Sequence, residues 1–259
     1  MAQSNVRILR EDGHADVNCA DAQGRVALHH ASKAGNWPTL KELLKFPNLD
    51  LHTKDVAGRN AISIAAQEGH RRVVRHLRHK IVDPTSTDLH GRNAISWDAN
   101  SIKSSAYAGE DKENVLRYLV RKIPGASDIP DENGWSPLAW ALDTPGYLTS
   151  VQILLKSPNF IINRCDGTFK RYILSWAASS DMKEIVECLL QRPDLDVNSK
   201  CSRGRNPLSY AAANSGLDVV KLISQAKDVS VQEPDHSARS PANWASLNNH
   251  LEVVNLLQG

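Results

Sequence analysis

The sequence predicts an all-α solenoid of about seven stacked helix-turn-helix units with projecting loop fingers, preceded by a half unit at the N-terminus. Three observations predict it. One phrase recurs along the chain as Gly24-Arg-Val-Ala-Leu-His-His-Ala31, Gly58-Arg-Asn-Ala-Ile-Ser-Ile-Ala-Ala66, Gly91-Arg-Asn-Ala-Ile-Ser-Trp97, Gly134-Trp-Ser-Pro-Leu-Ala-Trp-Ala141, Gly167 leading to Tyr172-Ile-Leu-Ser-Trp-Ala-Ala178, Gly204-Arg-Asn-Pro-Leu-Ser-Tyr-Ala-Ala212, and Ala238-Arg-Ser-Pro-Ala-Asn-Trp-Ala245. Their anchors are 34, 33, 43, 33, 37 and 34 residues apart. A repeat of roughly 33 residues cannot bury its apolar face alone, so neighbours must stack and share one core.

Residues 1–19 form the half unit, reading as a second helix and loop with no first helix before it. The full units run near 20–53, 54–86, 87–129, 130–162, 163–199, 200–233 and 234–259, one solenoid domain over 1–259. In each, the phrase is the first helix and an apolar stripe of helical period is the second. The stripes are Val73, Val74 and Leu77, then Val115, Leu116 and Leu119, then Val151, Ile153 and Leu154. Further on they are Ile185, Val186 and Leu189, then Val219, Val220, Leu222 and Ile223, then Val253, Val254, Leu256 and Leu257. The sixth unit shows the chemistry. Asn206 caps by accepting backbone N–H groups, and Pro207 occupies the first helical position, where it loses no hydrogen bond. Leu208, Ala211 and Ala212 make a narrow face for close packing. Asn214-Ser-Gly216 ends the helix, with Gly216 expected in the left-handed conformation. Polar connections such as residues 194–204 become the fingers.

Composition narrows the function. A net charge of +2 gives no global attraction to nucleic acid or anionic membrane. No segment is apolar for long enough to span a bilayer, and no secretory core follows the first residues. The expected place is the cytoplasm, the nucleus being open to it as well. Cys19, Cys165, Cys188 and Cys201 form no Cys-x-x-Cys pair and read as free thiols. No Gly-x-Ser-x-Gly, His-Glu-x-x-His or phosphate-cradling glycine loop occurs, so nucleophilic, zinc and nucleotide chemistry lack support, and no metal or cofactor is expected.

The chain resembles the ankyrin repeat family along essentially its whole length. The family phrase Gly-x-Thr-Pro-Leu-His-x-Ala-Ala, then Gly-His, then a Val/Leu helix and Asp-Val-Asn, survives in the copies above, in Gln67-Glu-Gly-His70, in Asp16-Val-Asn18 and in Asp196-Val-Asn198. The Leu174-Ser-Trp-Ala-Ala178 variant looks like fungal-type ankyrin tails. Asn60, Asn93, Ser136, Asn206 and Ser240 replace the family threonine and preserve its capping. The family histidine remains at His29, so Ser63, Ser96, Ser175, Ser209 and Asn243 are expected to replace its hydrogen bonds between units.

Such stacks bind on the concave surface of fingers and first helices, which the resemblance assigns here to a non-catalytic scaffold with a protein partner. The residue before the alanine pair is His30, Ile64, Trp97, Trp140, Trp176, Tyr210 and Trp244 in successive units. Two readings of the aromatic row stay open, filler between helices or a wall that contacts a partner. Arg25, Arg59, Arg92 and Arg205 rim it. A different class is also open. The third unit carries about ten extra residues at 98–109, and Asp98 stands where the family has a small alanine. If that insert closed the groove, Asp98, assisted by Asp143 or His30, would be the acid or base of an isomerase or cyclase, such as one of fungal secondary metabolism, acting on an apolar small molecule. The basic run from His70 to Lys80 reads as a solvated outer face. The uncapped apolar ends leave room for self-association.

Overall fold

The computed structural model describes residues 16–80, 85–101, 110–143, 148–157, 160–167, 170–214 and 216–259, with the side chains of 110–114 and 166 not among them. The half unit before residue 16 and the insert at 102–109 lie outside the described residues. Each repeat folds as an antiparallel helix pair: α1 (Ala27–Lys33) with α2 (Trp37–Leu43), α3 (Ala61–Gln67) with α4 (Arg71–Lys80), α5 (Ala94–Ala99) with α6 (Glu110–Lys122), and α7 (Pro137–Leu142) with α8 (Leu148–Leu155). A 3-10 turn, Pro124–Asp128, follows α6. The chain continues with α9 (Ile173–Ser179) and α10 (Lys183–Leu190), α11 (Pro207–Ala213) and α12 (Leu217–Ser224), and α13 (Pro241–Leu247) and α14 (Leu251–Gln258). One short hairpin, β1 (Cys165–Asp166) and β2 (Arg171–Tyr172), pairs Cys165 with Tyr172 and Asp166 with Arg171.

The chain divides into two compact units, Met1–Glu132 with Ser136–Phe160, and Asn133–Trp135 with Ile161–Gly259. In the first, α1, α3, α5 and α7 pack side by side in one layer and α2, α4, α6 and α8 in the other. Between the layers lie Leu28, Leu40, Leu43, Ile62, Leu77, Ile95, Leu116, Leu119 and Leu154, all essentially inaccessible to water. The second unit repeats the plan with α9, α11 and α13 against α10, α12 and α14, over Leu174, Ile185 and Leu189. At about 1.5–3 kcal/mol for each large apolar side chain removed from water, this shared core is what makes thin repeats stable together.

The caps form where the sequence places them. Asn60, Asn93, Ser136, Asn206 and Ser240 each accept a backbone N–H from the first turn of their helix. The expected serine ladder does not form. Ser63 and Ser96 donate back to their own caps, Asn60 and Asn93, and the Ser175 and Ser209 hydroxyls are buried without a partner. Repeats are connected instead through the fingers, through the His70 ring at the Lys33 carbonyl and through Asn93, which donates to the Ala126 carbonyl. Within the first unit Val56 donates to Gln23, Leu89 to Ala57 and Glu132 to His90, while Asn18 bridges to the backbone of Asn48 and Asp50. Within the second, Gly167 donates to Gly134 and His236 to Arg203. There Asn163 and Asn198 make the same double bridge to Asp194 and Asp196 and to Asp228 and Ser230.

The finger turns need a left-handed residue. Gly58 has φ +76, and a Cβ there would stand 2.6 Å from the Leu89 backbone nitrogen of the next finger. Ala238 takes the same conformation at φ 58. Gly216, expected to be left-handed, has φ −66 and is the N-cap of α12. Its lack of a side chain serves the close approach of Asp181 instead.

Candidate functional site

The aromatic row belongs to a repeated side-chain rung, built at the junction of each finger with its first helix. In the first unit Asp88 closes the finger turn by accepting the His90 and Arg92 backbone N–H groups at 2.9 Å each through Oδ1. Its Oδ2 accepts the indole N–H of Trp97, nine residues on, at 2.9 Å. Asp131 and Trp140 repeat the bond at 3.0 Å. The Arg92 guanidinium lies over both rings, 3.8 Å from the Trp97 centroid and 4.1 Å from that of Trp140. Arg59 approaches Trp97 at 5.4 Å and pairs with Asp55 at 2.8 Å. Rungs of adjacent repeats are thus interleaved, aromatic with cation, and each indole is held by a carboxylate.

The row begins differently. His30 is exposed and its Nε2 meets Asp21 at 2.9 Å, and Ile64 is buried with no ring to stack. Burial pulls the buried His29 below its ordinary 6.5, against the opposing carboxylate of Asp55. At Asp55 burial works upward, but the Arg59 guanidinium and backbone N–H groups win and hold the carboxyl below its ordinary 3.8.

In the second unit Asp235 accepts from Trp244 at 2.9 Å and from the Ser237 and Arg239 N–H groups. Arg205 lies 4.1 Å from the Tyr210 ring and 3.9 Å from Trp244, and Arg171 lies 4.3 Å from Tyr210 and 4.8 Å from Trp176. Trp135 meets Trp176 at 5.3 Å between centroids, tilted 59°. Here the Tyr210 hydroxyl donates to the Cys201 thiol at 3.3 Å, and the Trp176 indole N–H is buried with no partner. Burial lowers the Arg92 and Arg205 guanidinium pKa values and raises that of the Tyr210 phenol above its ordinary 10.

Trp97, Trp140, Trp176, Tyr210 and Trp244 therefore occupy one structural position in their repeats, together with Arg59, Arg92 and Arg205. The rings pack between arginines, and all but Tyr210 keep part of their surface in solvent. Asp98 is 3% exposed at the end of α5, and Asp143 is an exposed C-cap of α7. His30 lines a cleft of about 160 Å³ with Arg25, Lys33, Arg59 and Glu68, which neither aspartate enters. Among the described residues no group of three or more His, Cys, Asp or Glu is placed to hold a metal ion, and no helix is long and apolar enough to cross a membrane.

On the other layer, Arg71, Arg72 and Arg75 of α4 are exposed, while Trp37 stacks on His76 at 3.8 Å and Arg78 donates to the Tyr118 hydroxyl. Part of that basic run holds α4 to its neighbours. Asp88, Asp131, Asp235, Cys201 and Arg171 are the rung members that sequence reasoning missed. Asp88 and Asp235 carry a signal, an aspartate four residues ahead of an arginine and nine ahead of a tryptophan, and Asp131 keeps the second half of it with Trp140.

The family model for ankyrin repeats in three copies matches residues 2–88 and again 174–259. Among curated proteins, the chain is 28% identical over 149 residues to human transient receptor potential cation channel subfamily A member 1. It is 31% identical over 126 residues to the probable E3 ubiquitin-protein ligase XBOS33 of Oryza sativa subsp. japonica. The matches cover 56% and 46% of this chain but 12% and 24% of those proteins. The crystal structure of the ankyrin repeat domain of Bcl-3, a member of the IkappaB family, superposes with a TM-score of 0.77 at 22% identity, over 92% of this chain and all of that one.

Proposed function

Because the chain belongs to the ankyrin repeat family, we propose that it is a non-catalytic scaffold that binds a protein partner on its finger face, over the arginine–aromatic rungs. The observation that carries this reading is the rung itself: Arg92 held between Trp97 and Trp140, each indole pinned by its own aspartate. Side chains already locked in place lose little rotamer freedom on association, and half-buried Trp and Arg are the usual anchors of interfaces. Finger residues His90, Glu132, Arg203 and His236 next to the rungs are partly or fully exposed and able to set specificity. Ankyrin repeats of the fungal type remain the reading supported by the Leu174-Ser-Trp-Ala-Ala178 phrase.

The test is substitution by face. A partner captured with the full chain should be lost with a Glu132→Ala, Arg203→Ala, His236→Ala triple variant. It should be retained when Arg71, Arg72 and Arg75 on α4 become alanine. Retention by the first variant and loss by the second would move the site to the outer helices and end this reading.

A further inference from the structure

Four residues ahead of the rung arginine (Trp135 in the fourth repeat) the chain carries Asp21, Asp55, Asp88, Asp131 and Asp235, but Cys201 in the sixth repeat and Gly167 in the fifth, where Asp166 is the residue paired with Arg171 across the hairpin. Where the aspartate is present it does two jobs, closing the finger turn and neutralising the rung. Asp88 and Asp235 do so with one oxygen on backbone N–H groups and the other on an indole, and Asp55 with the second oxygen on Arg59. Cys201 takes over the contacts without the charge. Its Sγ accepts the Arg203 N–H at 3.4 Å and the Tyr210 hydroxyl at 3.3 Å, and a thiol is a weak acceptor. Two guanidiniums, Arg171 and Arg205, consequently stand 4.3 and 4.1 Å from one phenol ring, and neither forms an ion pair among the described residues. Asp235, the carboxylate that acts on Arg205, is already engaged by Ser237, Arg239 and Trp244. Two donors at this rung are buried and unmatched, Nε of Arg205 and Nε1 of Trp176. The same buried Nε occurs at Arg92, whose rung keeps its aspartate, so what sets this rung apart is two like charges side by side, and an anionic oxygen pair beside them offsets that cost.

We propose that the Tyr210 rung is a carboxylate-recognition point: an Asp or Glu side chain of the partner takes the role that the chain's own aspartate has in the sister repeats, accepting from the guanidinium of Arg171 beside Arg205. This rests on the scaffold reading and names the chemistry of the partner. The sister rungs favour a carboxylate over a phosphate, because they show that a peptide-borne, planar two-oxygen group fits beside a stacked guanidinium.

The full chain, labelled with ¹⁵N, is titrated with a hexaglutamate peptide, a hexaglutamine peptide and inorganic phosphate, following the Trp176 and Trp244 indole signals. Hexaglutamate shifts both saturably and hexaglutamine does not. Cys201→Asp, which supplies the missing carboxylate internally, weakens hexaglutamate binding at least tenfold without lowering the melting temperature. Arg171→Gln gives the same loss and decides the matter should Cys201→Asp not fold. Arg71→Gln, on the outer layer, leaves binding unchanged. Equal binding of hexaglutamate and hexaglutamine, full affinity in both rung variants, or displacement of hexaglutamate by millimolar phosphate overturns the proposal. If the finger triple variant loses the captured partner while Cys201→Asp binds partner and hexaglutamate like the parent, the scaffold reading stands and this one falls. If hexaglutamate behaves as expected but the partner maps to the outer helices, the reverse holds.

Discussion

Arg92 is the side chain on which the rung energetics can be read most directly. It is 9% exposed, and its guanidinium sits 3.8 Å from one indole and 4.1 Å from another. Stacking of a desolvated cation on a ring is worth about 0.5–2 kcal/mol, so two rings offer about 1–4 kcal/mol. Burial of the charge works against this, as the depressed pKa shows, with Asp88 and Asp131 partly offsetting it. Arg92→Ala should therefore cost about 2 kcal/mol, part of it from the packing of the aliphatic stem. Arg239→Ala removes an exposed arginine that lies 5.0 Å from a single ring and should cost under about 0.5 kcal/mol. Urea unfolding monitored by tryptophan fluorescence and by circular dichroism measures both, the two probes showing whether the stack unfolds in parts. A double-mutant cycle of Arg92→Ala with Trp140→Leu isolates the contact and should give a coupling near 1 kcal/mol. A coupling near zero, or equal losses for Arg92→Ala and Arg239→Ala, would refute the stacking argument.

Three further outcomes follow from the same structure. Ala238, at φ 58, holds the left-handed turn that glycine holds in the earlier fingers, so Ala238→Gly should stabilise the protein by about 1 kcal/mol in a thermal melt. Asn206→Ala removes the cap that accepts the Ser209 N–H at 2.8 Å and should cost about 1 kcal/mol in urea unfolding, with Asn206→Ser restoring most of it. His29 is buried and its pKa is depressed, so the unfolded chain binds the proton more readily than the folded one. Stability is then full above pH 6.5 and falls as the pH drops from there through the folded-state pKa, and His29→Gln should flatten the melting temperature between pH 7.5 and 5.

The repeat was legible because its signals are local. Capping Asn and Ser, Pro207 at the first helical position and glycines at positive φ act within a few residues of themselves, and each acts that way in the structure. The aromatic register was legible for the same reason. The meaning of that register was not, because a rung joins an aspartate, an aromatic nine residues on and an arginine of the neighbouring repeat through space. The misread positions share that cause. Ser63, Ser96, Ser175 and Ser209 looked like bridges between repeats but make none, and Gly216 looked like a helix stop when its neighbour across the stack, Asp181, is what requires it. The Asp98 pocket was inferred from an insert at 98–109, of which 102–109 lie outside the described residues. Asp98 itself is buried in its own helix layer and does not share the cleft of His30.

Amide hydrogen exchange of the chain alone and bound to its captured partner tests the central claim most directly. Protection gained at the finger turns 88–92, 131–134, 201–205 and 235–239, with α4 and α10 unchanged, is the result expected. Protection confined to α4, α10 and the other second helices would contradict it.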